Sequence, residues 1–164
     1  MIQRKGLSYL FEALKQLNSP NIHLTLIGRG VIDFTLINEY KKFFNINVKI
    51  NLSHSELINE MQNNDLFVFP SLIEGFGHVI LEAMSSGLPI LCTPNTAGPD
   101  IFINGNEGVI VPIRNSDQIA EKIEYFINNK KELAGMGQAA TNTAKIFSWE
   151  KFQNEIIEFY TNFS

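Results

Sequence analysis

The chain has 164 residues, 45% of them apolar, with 13 basic and 17 acidic side chains for a net charge of −4. That is enough chain for one domain with a substantial core. The acidic balance argues against a nucleic-acid partner held by a broad basic surface, one cysteine excludes an intrachain disulfide framework, and no stretch approaches the roughly 20 apolar residues that span a bilayer.

In chain order, Leu7, Leu10, Phe11, Leu14 and Leu17 recur at helical spacing, and "NSPN" at 18–21 ends the pattern. "IHLTLIG" reads as a strand ending at Gly28, and "VIDFTLINEYKKFF" at 31–44 as a helix. "VKI" at 48–50 is a short strand. Ser53 and Glu56 match a capping box that opens a helix to about Met61. "DLFVFP" is a buried strand stopped by Pro70, and "HVILEAMSSG" a helix closed by Gly87. "PILCT" and "EGVIVP" are two further strands, the first holding Cys92 as a buried, inert thiol. Helices follow at 117–129, 130–147 and 148–163. Short strands alternating with helices predict an α/β fold: a Rossmann-like, doubly wound parallel sheet with helices on both faces and a helical C-terminal end. The whole chain, 1–164, reads as a single domain without repeats or linkers. Ligands of such sheets bind where strands end and helices begin, which points to the loops at 28–31, 51–53, 71–78 and 93–100.

The third of these loops carries "EGFGHVILEAM", in which Glu74 and Glu82 stand eight positions apart around Gly-Phe-Gly. Gly75 and Gly77 let a ligand approach the backbone closely. The amides near Gly77 and His78 begin a helix and suit a phosphate or sugar hydroxyls. Glu82, about one turn in, leans back toward the loop. A carboxylate accepts two hydrogen bonds side by side, which matches a vicinal diol. A solvated polar stripe of His78, Glu82, Ser85 and Ser86 would produce the same spacing. "LIGRGVID" has Gly28 and Gly30 of a dinucleotide fingerprint but Asp33 in place of the third glycine, so a nicotinamide or flavin dehydrogenase fits poorly.

"FPSLIEGFGHVILEAMSSGLPILCT", with "KGLSYLFEAL", "LIGRG" and "FSWEKF" at its flanks, resembles the signature of retaining glycosyltransferases of the GT-B fold, in the large family 4 group. The resemblance covers the chain but matches only the C-terminal, donor-binding half of such enzymes. It implies transfer of a hexose from a nucleoside diphosphate sugar, UDP- or GDP-linked, to a hydroxyl acceptor in glycan or cell-envelope polysaccharide synthesis. It implies catalytic roles for Lys5 and Glu74: Lys5 would neutralise the departing diphosphate, and Glu74 would hold hydroxyls of the donor sugar. Gly75, Phe76 and Gly77 would offer backbone amides, with His78 bordering the pocket. Glu82 would hold the ribose. Gly28 and Gly30 would line the nucleotide pocket, and Leu52 and Ser53 would meet the base. No metal or other cofactor is expected, because Lys5 and helix dipoles can stand in for a divalent ion.

The family also places an Arg five residues before the matching Lys, a position that falls just before Met1; Arg4 is out of register for it. The first strand and the acceptor-binding N-terminal half of the family are expected to be absent, leaving the two strands beside that first strand each unpaired on one side. The fragment would then bind donor weakly and transfer little. A final helix carrying Trp149, Phe152, Ile156, Ile157 and Tyr160 would expose apolar surface and favour a dimer. The expected location is cytoplasmic, at the inner face of the membrane where acceptors are lipids. Two other readings stand beside this one. A non-catalytic nucleotide- or sugar-binding module would share the site. A receiver domain would need acids at the carboxyl end of a strand, whereas Asp65 begins one.

Overall fold

Leu91 of "PILCT" faces one hydrophobic cluster while Ile90 and Cys92 face another, and all three are 0% exposed. This alternation is what a strand covered on both faces requires. The computed structural model describes residues 3–30, 34–75 and 77–147 and the single positions 153, 157 and 161. The order is α1 (Leu7–Leu17), β1 (His23–Gly28), α2 (Thr35–Tyr40), β2 (Asn45–Ile50), α3 (His54–Gln62), β3 (Phe67–Phe69), α4 (Val79–Ser85), β4 (Ile90–Cys92), α5 (Gly98–Ile101), β5 (Gly108–Ile110), α6 (Ser116–Asn128) and α7 (Lys130–Ala144), then a 3-10 turn (Lys145–Phe147).

All strand pairs are parallel. β1 pairs with β2, and β3–β4–β5 form a second ladder. The described strands thus fall into two groups rather than one continuous ladder, with β1 and β3 each bonded to a strand on one side only. Helices cover both faces. Leu10, Phe11 and Leu14 of α1, Ile37 and Tyr40 of α2, and Ile119 and Ile123 of α6 pack on one side. Ile80, Ala83 and Met84 of α4, Met61 of α3 and Ala140 of α7 pack on the other. The α/β architecture with helices on both faces is therefore present.

Most element boundaries follow the sequence pattern, with three differences. β2 begins at Asn45 rather than Val48, because Ile46 is buried beneath α1 and α2. α2 ends at Tyr40, where Tyr40 fills the core against Phe11 and Phe44; residues 31–33 of the expected helix lie outside the described ones. α5 has no counterpart in the expected pattern: four residues with Pro99 in the first turn carry too little periodicity to be read. The expected final helix lies mostly outside the described residues; of it only Gln153, Ile157 and Thr161 are described, each helical, with Ile157 63% exposed. Among the described residues no helix is long and apolar enough to cross a membrane.

Local chemistry fixes the site-bearing elements. The predicted capping box forms in full: Ser53 Oγ accepts from Glu56 N–H, and the Ser53 amide donates back to the Glu56 carboxylate at 2.8 Å. The Ser53 hydroxyl, which donates to the Glu56 carboxylate at 2.6 Å, and then the Ser53 amide hold the Glu56 carboxyl below its ordinary range. Burial pushes the Cys92 thiol up to about 11, which keeps it inert. At the end of α2, Tyr40 O–H donates to Glu12 of α1, and burial together with that carboxylate pushes Tyr40 up to about 12.

Glu107, 4% exposed, ties the loop before β5 to α7. It accepts from Ile103 N–H at 2.9 Å and from the Thr143 hydroxyl at 2.6 Å. Burial alone would raise its pKa, but these hydrogen bonds outweigh it and hold the carboxyl below the ordinary 4.5. A depressed native pKa stabilises the fold above the ordinary carboxylate range, and the contribution is lost as pH falls through the native value. Glu107→Gln is therefore expected to lower stability by about 1–2 kcal/mol at pH 7, read by urea titration. The gap to the parent should close as pH drops below the ordinary glutamate range, because the parent carboxylate is then protonated too. Gly6 gives a second prediction. Its φ is +67°, and an added Cβ would lie 1.9 Å from the Pro70 carbonyl oxygen, so Gly6→Ala should cost about 1–3 kcal/mol, seen as a lowered thermal midpoint.

Candidate functional site

The loop after β3 is anchored from two sides. Leu72 N–H donates to the Arg4 carbonyl at 2.8 Å, and Gly6 lets the turn at 3–6 lie directly on the Pro70 carbonyl. From β4, the Thr93 hydroxyl donates to the Ser71 carbonyl, and the Asn95 side-chain amide donates to the Leu72 carbonyl at 2.7 Å. Ser71 is fully buried, and its own hydroxyl has no hydrogen-bond partner among the described residues. A loop held this closely places the next residues reproducibly.

Those residues include Glu74. Lys5 Nζ donates to Glu74 Oε2. Lys5 also lies over the Phe69 ring, 4.9 Å from its centre. The Arg4 guanidinium stands 3.8 Å from Glu74 Oε1, and the Gly75 amide donates to the same oxygen at 3.3 Å. The hydrogen bond from Lys5 is the main reason the Glu74 carboxyl lies below its ordinary range; burial opposes it, and the charges of Lys5 and Arg4 add to it. Lys5 and Glu74 are thus brought together across 69 positions of sequence.

Gly77 turns the chain into α4 with φ +73°. A Cβ there would stand 3.3 Å from Glu74 Cγ and 3.4 Å from the Phe69 ring, so glycine serves both the backbone conformation and the close approach to Glu74. Phe76 lies outside the described residues. The first bond of the turn runs from Ile80 N–H to the Gly77 carbonyl at 2.9 Å, with the His78 carbonyl accepting from Glu82 N–H at 3.1 Å. Glu82 occupies the first turn of α4 with its side chain about one-third exposed. His54, the first residue of α3, brings Nδ1 to 3.9 Å from Glu82 Oε1.

The remaining predicted residues gather at the same carboxyl ends of the strands. Asn51 N–H donates to the Gly28 carbonyl, and its side-chain oxygen accepts from Gly30 N–H, both at 2.9 Å. The Gly30 amide is therefore already engaged, and an added Cβ there would meet nothing within 4 Å. Leu52 is half-buried, and the Ser53 hydroxyl is committed to the cap. An open cleft of about 300 Å³ is lined by Gln3, Ser8, Tyr9, Leu72 and Arg114. Glu74 and Glu82 do not line it, and the Lys5 side chain lies against Glu74 itself. Arg4, out of register for the family's arginine, and His54 are the residues that the sequence pattern did not bring to the glutamates. Neither contact has a local signal, since each depends on which loops the sheet brings side by side.

The chain matches the family model described as "Glycosyl transferases group 1" over residues 1–143. It is 33% identical over 159 residues to an uncharacterised glycosyltransferase of Methanocaldococcus jannaschii, covering 92% of this chain and 42% of that protein. It is 30% identical over 161 residues to the capsular polysaccharide biosynthesis glycosyltransferase CapM of Staphylococcus aureus, covering 96% of this chain and 41% of that one. The chain thus spans less than half the length of these relatives. The fold is similar to that of HepE of Anabaena, solved in complex with UDP-glucose, with a TM-score of 0.82 at 21% identity over 99% of this chain and 46% of that one. With the family model matching residues 1–143 and the α/β fold shared with HepE, the chain belongs to the group 1 glycosyl transferases and has the GT-B type of α/β fold.

Proposed function

We propose that this chain is the donor-binding half of a retaining glycosyltransferase that moves a hexose from a nucleoside diphosphate sugar to a hydroxyl acceptor. One observation carries the reading: a cation from the turn at 3–6 and a carboxylate from the loop after β3 meet beside a glycine turn at a strand end. Breaking a glycosidic bond leaves negative charge on the departing diphosphate, and a fixed cation there lowers the barrier more than it stabilises the ground state. Lys5 takes that role in this reading, and Glu74 holds hydroxyls of the sugar. In this reading the amides of Gly75 and Gly77 meet the sugar and diphosphate, with His78 at the border; Phe76, expected to join them, lies outside the described residues. Glu82 takes the ribose diol, and the neighbouring start of α3 at Leu52 and Ser53 meets the base.

Gly28 and Gly30 shape the pocket as space rather than as donors, since the Gly30 amide serves Asn51. The diphosphate charge is met by Lys5, so the reading calls for no metal. A UDP-linked donor is supported by the UDP-glucose bound to HepE, and a role in envelope polysaccharide by the capsular relative. The acceptor and the face of the membrane belong to the half that this chain does not match. The unjoined edges of β1 and β3 are where a further strand of the family's sheet would sit.

Titration of the chain with UDP, GDP, ADP, UDP-glucose and GDP-mannose by calorimetry identifies the base and the sugar. Glu74→Ala and Glu82→Ala are each expected to weaken the sugar nucleotide by about tenfold or more, the loss of a charged hydrogen-bonded contact. Glu82→Ala should weaken the bare nucleotide as well. In an active enzyme carrying this half, the same changes should lower the transfer rate, and retention is read from the anomeric coupling of the product by NMR. Unchanged affinity in both variants would show the assignment to be wrong, and binding without transfer would identify a binding module.

A further inference from the structure

Lys5 and Glu74 are each other's principal partner. Glu74 is only 12% exposed, so its carboxylate has little water to replace a lost cation. Its other contacts are weaker: the half-exposed Arg4 at 3.8 Å and the Gly75 amide at 3.3 Å. The Lys5 ammonium is confined as well, between Glu74 and the face of Phe69. A cation already neutralised by a carboxylate attracts an incoming anion less strongly. An anion that takes Lys5 leaves Glu74 under-partnered, and that cost is subtracted from the anion's affinity. A hydroxyl delivered to Glu74 in the same event removes the cost, because it donates to the freed carboxylate oxygen.

We propose that Glu74 discriminates between an intact nucleotide sugar and the nucleoside diphosphate left after transfer, by competing for Lys5 against a diphosphate that brings no sugar. The inference rests on the donor-binding reading above and adds a specificity role to it. With the nucleotide sugar bound, Lys5 turns to the diphosphate and Glu74 to the sugar hydroxyls, so both members of the pair keep a partner. With the diphosphate alone, nothing replaces Lys5 at Glu74, and the carboxylate draws the ammonium back. The pair thereby lowers affinity for the product relative to the donor and favours product release. Phe69 supports the exchange: its ring lies under the ammonium, 4.9 Å from its centre, and remains a partner as the cation leaves Glu74.

The test is calorimetric titration of the full chain and of Glu74→Gln, Lys5→Gln and the double variant, at low salt, with UDP, GDP, UDP-glucose and GDP-mannose. Glu74→Gln is expected to bind the nucleoside diphosphate about five- to tenfold more tightly than the parent and the matching sugar nucleotide more weakly by a similar factor. Changes of opposite sign separate this role from a structural one, since a loosened loop weakens both ligands. In the Lys5→Gln background the same substitution should leave diphosphate affinity within about twofold, which separates competition for Lys5 from a general gain of positive charge. Thermal melts check folding. Should Glu74→Gln not fold, Glu74→Asp, with its carboxylate drawn back from Lys5, is expected to shift both affinities in the same directions by less. Diphosphate binding that is unchanged or weaker in the folded variant overturns the inference, as does a gain that persists without Lys5. If the parent chain binds none of the four nucleotides, the donor-binding reading itself falls. If it binds them and the ratio does not move, only this inference falls.

Discussion

The site depends on how closely two pieces of backbone approach one another. Gly6 lies against the Pro70 carbonyl with no room for a side chain, and Leu72 N–H donates to the Arg4 carbonyl. These contacts sew the turn ahead of α1 to the loop that follows β3. A lysine side chain has about 2 kcal/mol of rotamer freedom to lose, and the chain spends that restriction where Lys5 has a ring beneath it and a carboxylate ahead of it. Without the backbone contact, Lys5 would be an ordinary solvated lysine and Glu74 a partly buried acid lacking its main cation.

The rest of the fold supports this placement by covering the strands on both sides. β4 is the rigid reference, with Leu91 packed toward α1 and α6, and Ile90 and Cys92 packed toward α4 and α7. From its end, Thr93 and Asn95 hold the carbonyls of Ser71 and Leu72. The loop that carries Glu74 is therefore braced by the neighbouring strand as well as by the turn at 3–6. Close packing of this kind makes a sub-ångström change in one partner felt by the other. Glu107 performs a similar task at the start of β5, where a buried carboxylate joins a turn to α7 through hydrogen bonds. It illustrates that acids in this chain can be structural, and that burial alone does not mark a binding group.

Each of the two glutamates at the candidate site has charged or polar partners. Glu74 is shared by Lys5, Arg4 and the Gly75 amide, and Glu82 by the imidazole of His54 across the gap between α3 and α4. On the proposed donor-binding reading, an anionic diphosphate would offer acceptors to the cation and sugar hydroxyls would offer donors to the carboxylates. The group 1 glycosyl transferase match over residues 1–143 supports that reading.

The sequence by itself determined the alternation of strands and helices, the capping box at Ser53 and Glu56, and the glycine turn between Glu74 and Glu82. Each of these is written in near neighbours: periodicity over a helix or strand, a hydroxyl three residues from a carboxylate, a glycine where φ must be positive. The resemblance to the glycosyltransferase signature added expected roles for Lys5, Glu74 and Glu82, and the structure places Lys5 against Glu74. Tertiary structure alone decided the short α5 and the contacts of Arg4 and His54 with the two glutamates. Those features depend on which loops the parallel strands bring to one edge, a relation between residues far apart in the chain that no local spacing records.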